Sequence, residues 1–171
     1  VVIDCVGKSL ISADVGAGIP RYRLLETTRT YARERLDESG EQAATVRRHA
    51  EFYRSLLERA TMAWETTPSA EWLATLALEI DNIRAALNWA FAPGGDSSTG
   101  IALAAASVQL WLETSLFGEC RRWVEHALAR LDATGSRGTR HEMLLQAGLG
   151  ISQMYLRGAV TEIRPCWTRS L

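Results

Sequence analysis

The spacing of apolar residues changes near residue 26 of this 171-residue chain. Upstream, short alternating runs flank the stretch 15–20, and this pattern predicts a β-hairpin with a glycine-rich tip. Downstream, apolar residues recur every three or four positions, which is the period of amphipathic helices. We therefore expect a mainly α fold, in which an antiparallel helical-repeat array follows a short β-hairpin.

The first three helices can be placed from their apolar stripes. Thr27 or Thr28 is expected to cap the N-terminus of the first helix, and the Ser-Gly pair at 39–40 is expected to end it. The second helix has an apolar stripe over 46–60 and a charged opposite face, so we expect it to cover a core from outside. The third is expected to run unbroken over 69–92, because its apolar residues form an a/d seam.

The later helices suggest a repeat. Two amphipathic helices joined by a turn at Phe117-Gly118 are expected to be antiparallel. The helix that follows Gly138 is apolar on two sides, which predicts that it is sandwiched. A second helix-Gly-helix turn at Gly158 lies about 40 residues after the first, close to the repeat lengths of α-solenoids, including tetratricopeptide arrays. Pro165 is expected to kink or end the last helix.

Composition narrows the possible functions. The chain is 47% hydrophobic and has a formal net charge of −1, which excludes a disordered chain and argues against nucleic-acid binding as its main activity. The longest uncharged stretch, 97–112, is too short and too polar for a membrane span. Three cysteines without CxxC spacing predict neither a disulfide framework nor a zinc site, and we expect a cytoplasmic protein. With no initiator Met and no capping helix, we expect a segment of a longer protein.

Two motifs resemble catalytic or binding signatures but are incomplete. Gly7-Lys8-Ser9 could end a Walker A loop, but the required first glycine is replaced by Val2. His141-Glu142 could begin an HExxH zinc motif, but the second histidine is replaced by Leu145. We therefore expect no enzymatic activity, bound metal or cofactor in this chain. His49 and His126 have no partners in sequence and are interpreted as structural or solvated. Glu79 and Asp81 could suggest paired carboxylates, but residues two apart on a helix do not face each other.

Six tryptophans are many for this length. Most lie at seam positions of the predicted helices and are interpreted as packing residues. Trp64 and Trp72 flank a Thr-Thr-Pro turn, and we expect these two to reach the surface as part of an interaction site.

Three stretches together resemble one protein family. They are RYRLLETTRTYARERLDESG at 21–40, RHAEFY at 48–53 and EIDNIRAALNWA at 79–90. These resemble the segment downstream of the nucleotide-binding core in bacterial STAND-class, NB-ARC-like ATPases and the transcriptional regulators that carry them. The resemblance implies that 1–40 is the end of a winged-helix domain, its wing hairpin plus a helix, and that 41–171 is a tetratricopeptide-like array.

The same resemblance implies no catalytic residue in this chain. ATP and Mg²⁺ chemistry would belong to an upstream part of the parent protein, and DNA would be bound by another domain. We expect a non-catalytic module that binds a protein partner, the parent's own ATPase domain or a small-molecule effector, and that couples binding to the ATPase. Homo-oligomerisation stays open. The alternative is a DNA-contacting winged-helix fragment that uses four arginines: Arg21, Arg23, Arg29 and Arg33.

Overall fold

A computed structural model describes residues 2–14, 21–64 and 66–157. The described chain is mainly helical, with a two-stranded antiparallel hairpin near its N-terminus. This confirms the predicted mainly α class and the hairpin, whereas the tetratricopeptide-like repeat stays a prediction. The predicted features at 15–20, Gly158 and Pro165 lie outside the described residues.

The chain divides into two compact units between Thr45 and Val46. The division lies five residues from the expected boundary at 40/41, while the winged-helix and repeat assignments stay predictions. Helix α3 begins before the division and continues past it. The elements of the first unit are α1 (Val2–Gly7), β1 (Ile11–Asp14), β2 (Arg21–Leu24), α2 (Glu26–Glu38) and the start of α3 (Gln42–Ala63).

In the first unit the hairpin pairs Ile11 with Leu24 and Asp14 with Arg21. The predicted cap of α2 is wrong: the helix begins at Glu26, before either threonine, and Leu25 at its N-cap supplies no side-chain hydrogen bond. The predicted end is confirmed at Ser39-Gly40, where Gly40 has a φ of 72°. Over 3–14 and 21–45, no side chain is buried, so these described residues form no core of their own.

The second unit has its core around one helix. Its elements are α3, α4 (Ser69–Leu76), a 3₁₀ turn (Ala77–Glu79), α5 (Ile80–Phe91), α6 (Ser97–Glu113), α7 (Phe117–Leu128), α8 (Leu131–Thr134) and α9 (Arg140–Arg157). Helix α6 contacts α5, α7 and α9, and its residues are buried continuously from Thr99 to Val108. The prediction that α6 is amphipathic is therefore wrong, because neighbours surround it on every side of that stretch.

The Asp96 carboxylate starts α6. It accepts hydrogen bonds from the backbone N–H groups of Ser98 (3.0 Å) and Thr99 (3.3 Å) and from both hydroxyls. These bonds, first among them that of the Ser98 hydroxyl, lower the pKa of Asp96 to about 2. An ionised N-cap therefore fixes the start of the most buried helix.

Two further boundaries and the surroundings of α9 differ from the sequence prediction. The expected continuous helix over 69–92 is interrupted by the 3₁₀ turn, where Glu79 accepts hydrogen bonds from Tyr53 Oη and Asn82 Nδ2, both at 2.8 Å. The turn before α7 lies at 114–116, and Phe117-Gly118 already belong to the helix. Helix α9 is not sandwiched over its described length, because Met143 and Tyr155 are about 60% exposed.

Candidate interaction surface

The two tryptophans expected at the surface form one cluster, and one of them is buried. The rings of Trp64 and Trp72 meet edge to face at 4.9 Å. Trp72 Nε1 donates a hydrogen bond of 2.8 Å to the Ala60 carbonyl oxygen, and its side chain is 4% exposed. The expectation that Trp72 reaches the surface is therefore wrong, because the indole N–H is satisfied inside the fold. Trp64 is half-buried.

A groove of about 280 Å³ lies beside Trp72. We call it the α3–α4 groove. Its apolar lining comes from Leu56, Ala60, Trp72 and Leu76, and its polar lining from Arg59, Thr67, Glu71 and Thr75. An apolar floor with a polar rim suits an apolar side chain of a partner protein.

A second groove, of about 190 Å³, lies between α5 and α7. We call it the α5–α7 groove, and it is lined by Asn88, Phe91, Ala92, Arg122, Trp123 and His126. The rings of Phe91 and Trp123 are stacked at 6.3 Å, and the His126 ring meets both edgewise at about 6 Å. The groove therefore combines an aromatic wall with basic and amide side chains.

An ion pair joins the helices on either side of this groove. Arg84 on α5 donates two hydrogen bonds to Glu119 on α7, one of them from Nε at 2.9 Å, and a third from Nη1 to Asp81 at 2.7 Å. The Arg84 hydrogen bonds hold the pKa of Glu119 below its usual value. Trp123 Nε1, which forms no well-directed hydrogen bond, adds a weaker interaction with the same carboxylate.

A second arginine joins the far end of α5 to α7. Arg130 donates hydrogen bonds to the carbonyl oxygens of Phe91 (3.3 Å) and His126 (3.0 Å). Its guanidinium also lies over the Phe91 ring, 5.0 Å from the centroid. A cation bonded to these carbonyls is favourably placed against the C-terminal dipoles of the two helices. The groove is therefore held at both ends by arginines.

The four arginines of the DNA-contacting alternative all lie in the first unit. Arg21 and Arg23 are two residues apart on β2 and share one face of the hairpin, with Arg21 opposite Asp14. Arg29 donates a hydrogen bond of 2.9 Å to Glu26, and Arg33 is exposed on the same helix. Over residues 1–45 acidic residues outnumber basic ones, so this unit has no net positive charge to attract phosphates.

The incomplete motifs do not form sites in the structure. Lys8 follows α1 and precedes β1, whereas a phosphate-binding loop has its lysine at the start of a helix. The described residues contain no group of three or more His, Cys, Asp or Glu side chains that could hold a metal. Burial raises the pKa of the Cys120 thiol to about 11. None of the described helices is long and apolar enough to cross a membrane.

The α5–α7 groove was not predicted from the sequence. Arg122, Trp123 and His126 are close together in the chain, and their aromatic and basic character is visible there. Their partner Phe91 comes 32 residues before Trp123. Only the packing of α5 against α7 brings the two aromatic residues together.

Comparison with known proteins relates the chain to transcriptional regulators. It is 32% identical over 168 residues to proteins of Mycobacterium tuberculosis and Mycobacterium bovis named as candidate helix-turn-helix-type transcriptional regulators. The match covers 94% of this chain and 18% of each relative, so the chain spans less than a fifth of their length. No family model matches the sequence, and no solved structure matches it.

Proposed function

We propose that this chain is a non-catalytic, partner-binding segment of a longer cytoplasmic transcriptional regulator. The observation that carries the proposal is the match to less than a fifth of each helix-turn-helix-type relative. In that setting, DNA is bound by another part of the parent. Because the chain resembles part of STAND-class regulators, the proposal also includes an ATP-hydrolysing core outside this chain. The segment would couple partner binding to that core.

Two features of the structure support a binding role. The second unit presents grooves of a size that holds single side chains. The first unit leaves Tyr22, Leu25 and Tyr31 between 47% and 59% exposed, and such side chains are available to pack against another part of the parent or a partner. Coupling would work through a shift between two packings of these surfaces.

The proposal is tested in the Mycobacterium tuberculosis relative. We would delete the segment that matches this chain, then measure genomic DNA occupancy of the regulator and transcript levels of the occupied genes. We expect occupancy at the same sites and a changed transcriptional response. A second variant, in which this chain replaces the deleted segment, keeps the test valid if the deletion protein is unstable. Unchanged transcripts with the deletion variant would refute the coupling role, whereas unchanged transcripts with the replacement variant would mean that this chain performs the role of the deleted segment.

ATP turnover tests the finer part of the proposal. The purified relative and its deletion variant should hydrolyse ATP at different rates if the segment couples to an ATPase core. Equal rates, or no hydrolysis by the intact relative, would remove the ATPase from the account.

The DNA-contacting alternative is tested with this chain alone. A mobility-shift assay at low ionic strength gives phosphate contacts their greatest affinity. We expect no shift. A shift that disappears when the four arginines are changed to glutamine would establish the alternative instead.

A further inference from the structure

The α5–α7 groove holds positive charge that no carboxylate in its lining offsets. None of the six described residues that line it is acidic. Arg122 lies 4.0 Å from an oxygen of Glu119, but Arg84 already binds both oxygens of that carboxylate. Arg130, at the end of the groove, donates to two carbonyl oxygens, which satisfy its N–H groups without neutralising its charge.

The Arg122 side chain is positioned to donate. Its guanidinium carbon lies 4.3 Å from the centroid of the Trp123 ring, and its side chain is 54% exposed. Stacking fixes the plane of a guanidinium while leaving its edge open for hydrogen bonds, the geometry that suits a carboxylate. Asn88, across the groove on α5, is exposed and carries an amide that can donate as well.

We infer that the α5–α7 groove binds an acidic side chain, Asp or Glu, from a peptide segment of a protein partner. The inference rests on the proposed partner-binding function and names the chemistry of the partner. The carboxylate is held by Arg122 and Asn88, in the field of Arg130. Phe91 and Trp123 are largely buried, so the methylene groups of the acidic side chain contact only the parts of these rings that line the groove.

The size and charge of the groove favour a peptide side chain over other anions. Its volume of about 190 Å³ is below the roughly 300–1,000 Å³ of pockets that enclose small-molecule ligands. A nucleic acid would need a longer uncompensated basic face, and the whole chain carries a formal net charge of −1. One acidic side chain suits both the small volume of the groove and the small number of positive charges around it.

The test is an NMR titration of this chain with two pools of short, end-blocked peptides. Each peptide in the first pool carries a single Glu among random uncharged residues, and the second pool has Gln in its place. The readout is the indole N–H resonance of Trp123, assigned with Trp123→Phe. Sodium acetate serves as a third ligand, because it supplies the carboxylate without a peptide.

Arg122→Gln is the decisive variant, and Arg121→Gln is its matched control. Both arginines are exposed on the same helix, but Arg121 pairs with Glu125 and lies outside the groove lining. We expect Arg122→Gln to weaken binding of the Glu pool about tenfold, since it removes a charge-assisted hydrogen bond. Arg121→Gln should leave the affinity unchanged, and both variants should keep the circular dichroism spectrum.

Several results would overturn the inference. These are no Trp123 shift with the Glu pool, equal binding of the Gln pool, and equal effects of the two arginine variants. Acetate binding as tightly as the Glu pool would make the groove a free-anion site and overturn the peptide assignment. The titration uses neither DNA nor the rest of a regulator, so its failure leaves the occupancy and transcript test of the proposed function standing.

Discussion

Gly148 on α9 is a point at which the packing of the second unit leaves no room for added volume. A Cβ at this position would lie 2.8 Å from Cγ1 and 2.9 Å from Cγ2 of Val108 on α6. The same glycine's carbonyl oxygen lies 3.8 Å from Sγ of Cys120 on α7. Helices α6, α7 and α9 therefore meet here without room for a side chain.

The Gly148→Ala substitution has two opposing effects. Replacing glycine by alanine inside a helix gains about 0.5–1 kcal/mol, while overpacking a tight contact costs about 1–3 kcal/mol. We expect a net loss of up to about 2.5 kcal/mol in the free energy of unfolding, since subtracting the gain from the cost gives about 0–2.5 kcal/mol. Gly150 on the same helix is the matched control, because a Cβ there meets nothing within 4 Å. Gly150→Ala should therefore stabilise by about 0.5–1 kcal/mol.

Urea unfolding followed by tryptophan fluorescence measures the second unit, since all six tryptophans lie after residue 45. Val108→Ala removes both methyl groups that a Cβ on residue 148 would meet. The double variant Gly148→Ala/Val108→Ala should therefore lose less unfolding free energy than the two single variants lose together, by about 1–2 kcal/mol. If Gly148→Ala stabilised as Gly150→Ala does, or if Val108→Ala gave no relief, the close packing of α6 and α9 would be wrong.

Three further predictions concern the caps, ion pair and buried thiol. Asp96→Ala should cost about 1 kcal/mol of unfolding free energy at neutral pH. Because the pKa of Asp96 in the folded protein is lowered to about 2, this cost should shrink as the pH of the unfolding series falls from about 4 towards 2. A cost that stays constant over this pH range would contradict the ionised cap. Glu119→Gln should cost about 1–2 kcal/mol by the same urea assay, since it removes the charge that joins α5 to α7; a neutral effect would refute that role. In a variant with serine at the other two cysteines, Cys120 should resist iodoacetamide until denaturant is added. The reason is that its thiol is buried and has a pKa raised to about 11. Rapid labelling of the native protein would contradict this burial.

Local periodicity predicted most of the helices because the core of the second unit follows it. Ala50, Tyr53 and Leu57 are buried at spacings of three and four residues on α3, as their apolar stripe indicates. The strands of the hairpin were predicted for the same reason, since alternation and glycine are local signals. Helix α1 was missed because its six residues are too few to show a period.

Three other failures depend on contacts between distant residues. Glu79 ends the 3₁₀ turn that separates α4 from α5, and it accepts a hydrogen bond from Tyr53, which is 26 residues away. No a/d count within one helix reveals that contact. Trp72 is buried because its indole N–H finds the Ala60 carbonyl. The α5–α7 groove lies between two helices that Arg84 and Glu119, 35 residues apart, join.

We propose that this segment transmits a partner's signal within a transcriptional regulator whose DNA contacts lie elsewhere. Its most direct test is the transcript level of genes occupied by the Mycobacterium tuberculosis relative, with and without the matched segment. We expect changed transcripts at genes that the shortened regulator still occupies. Loss of occupancy at those genes, in a shortened protein of normal abundance, would contradict it by placing DNA contact in this segment.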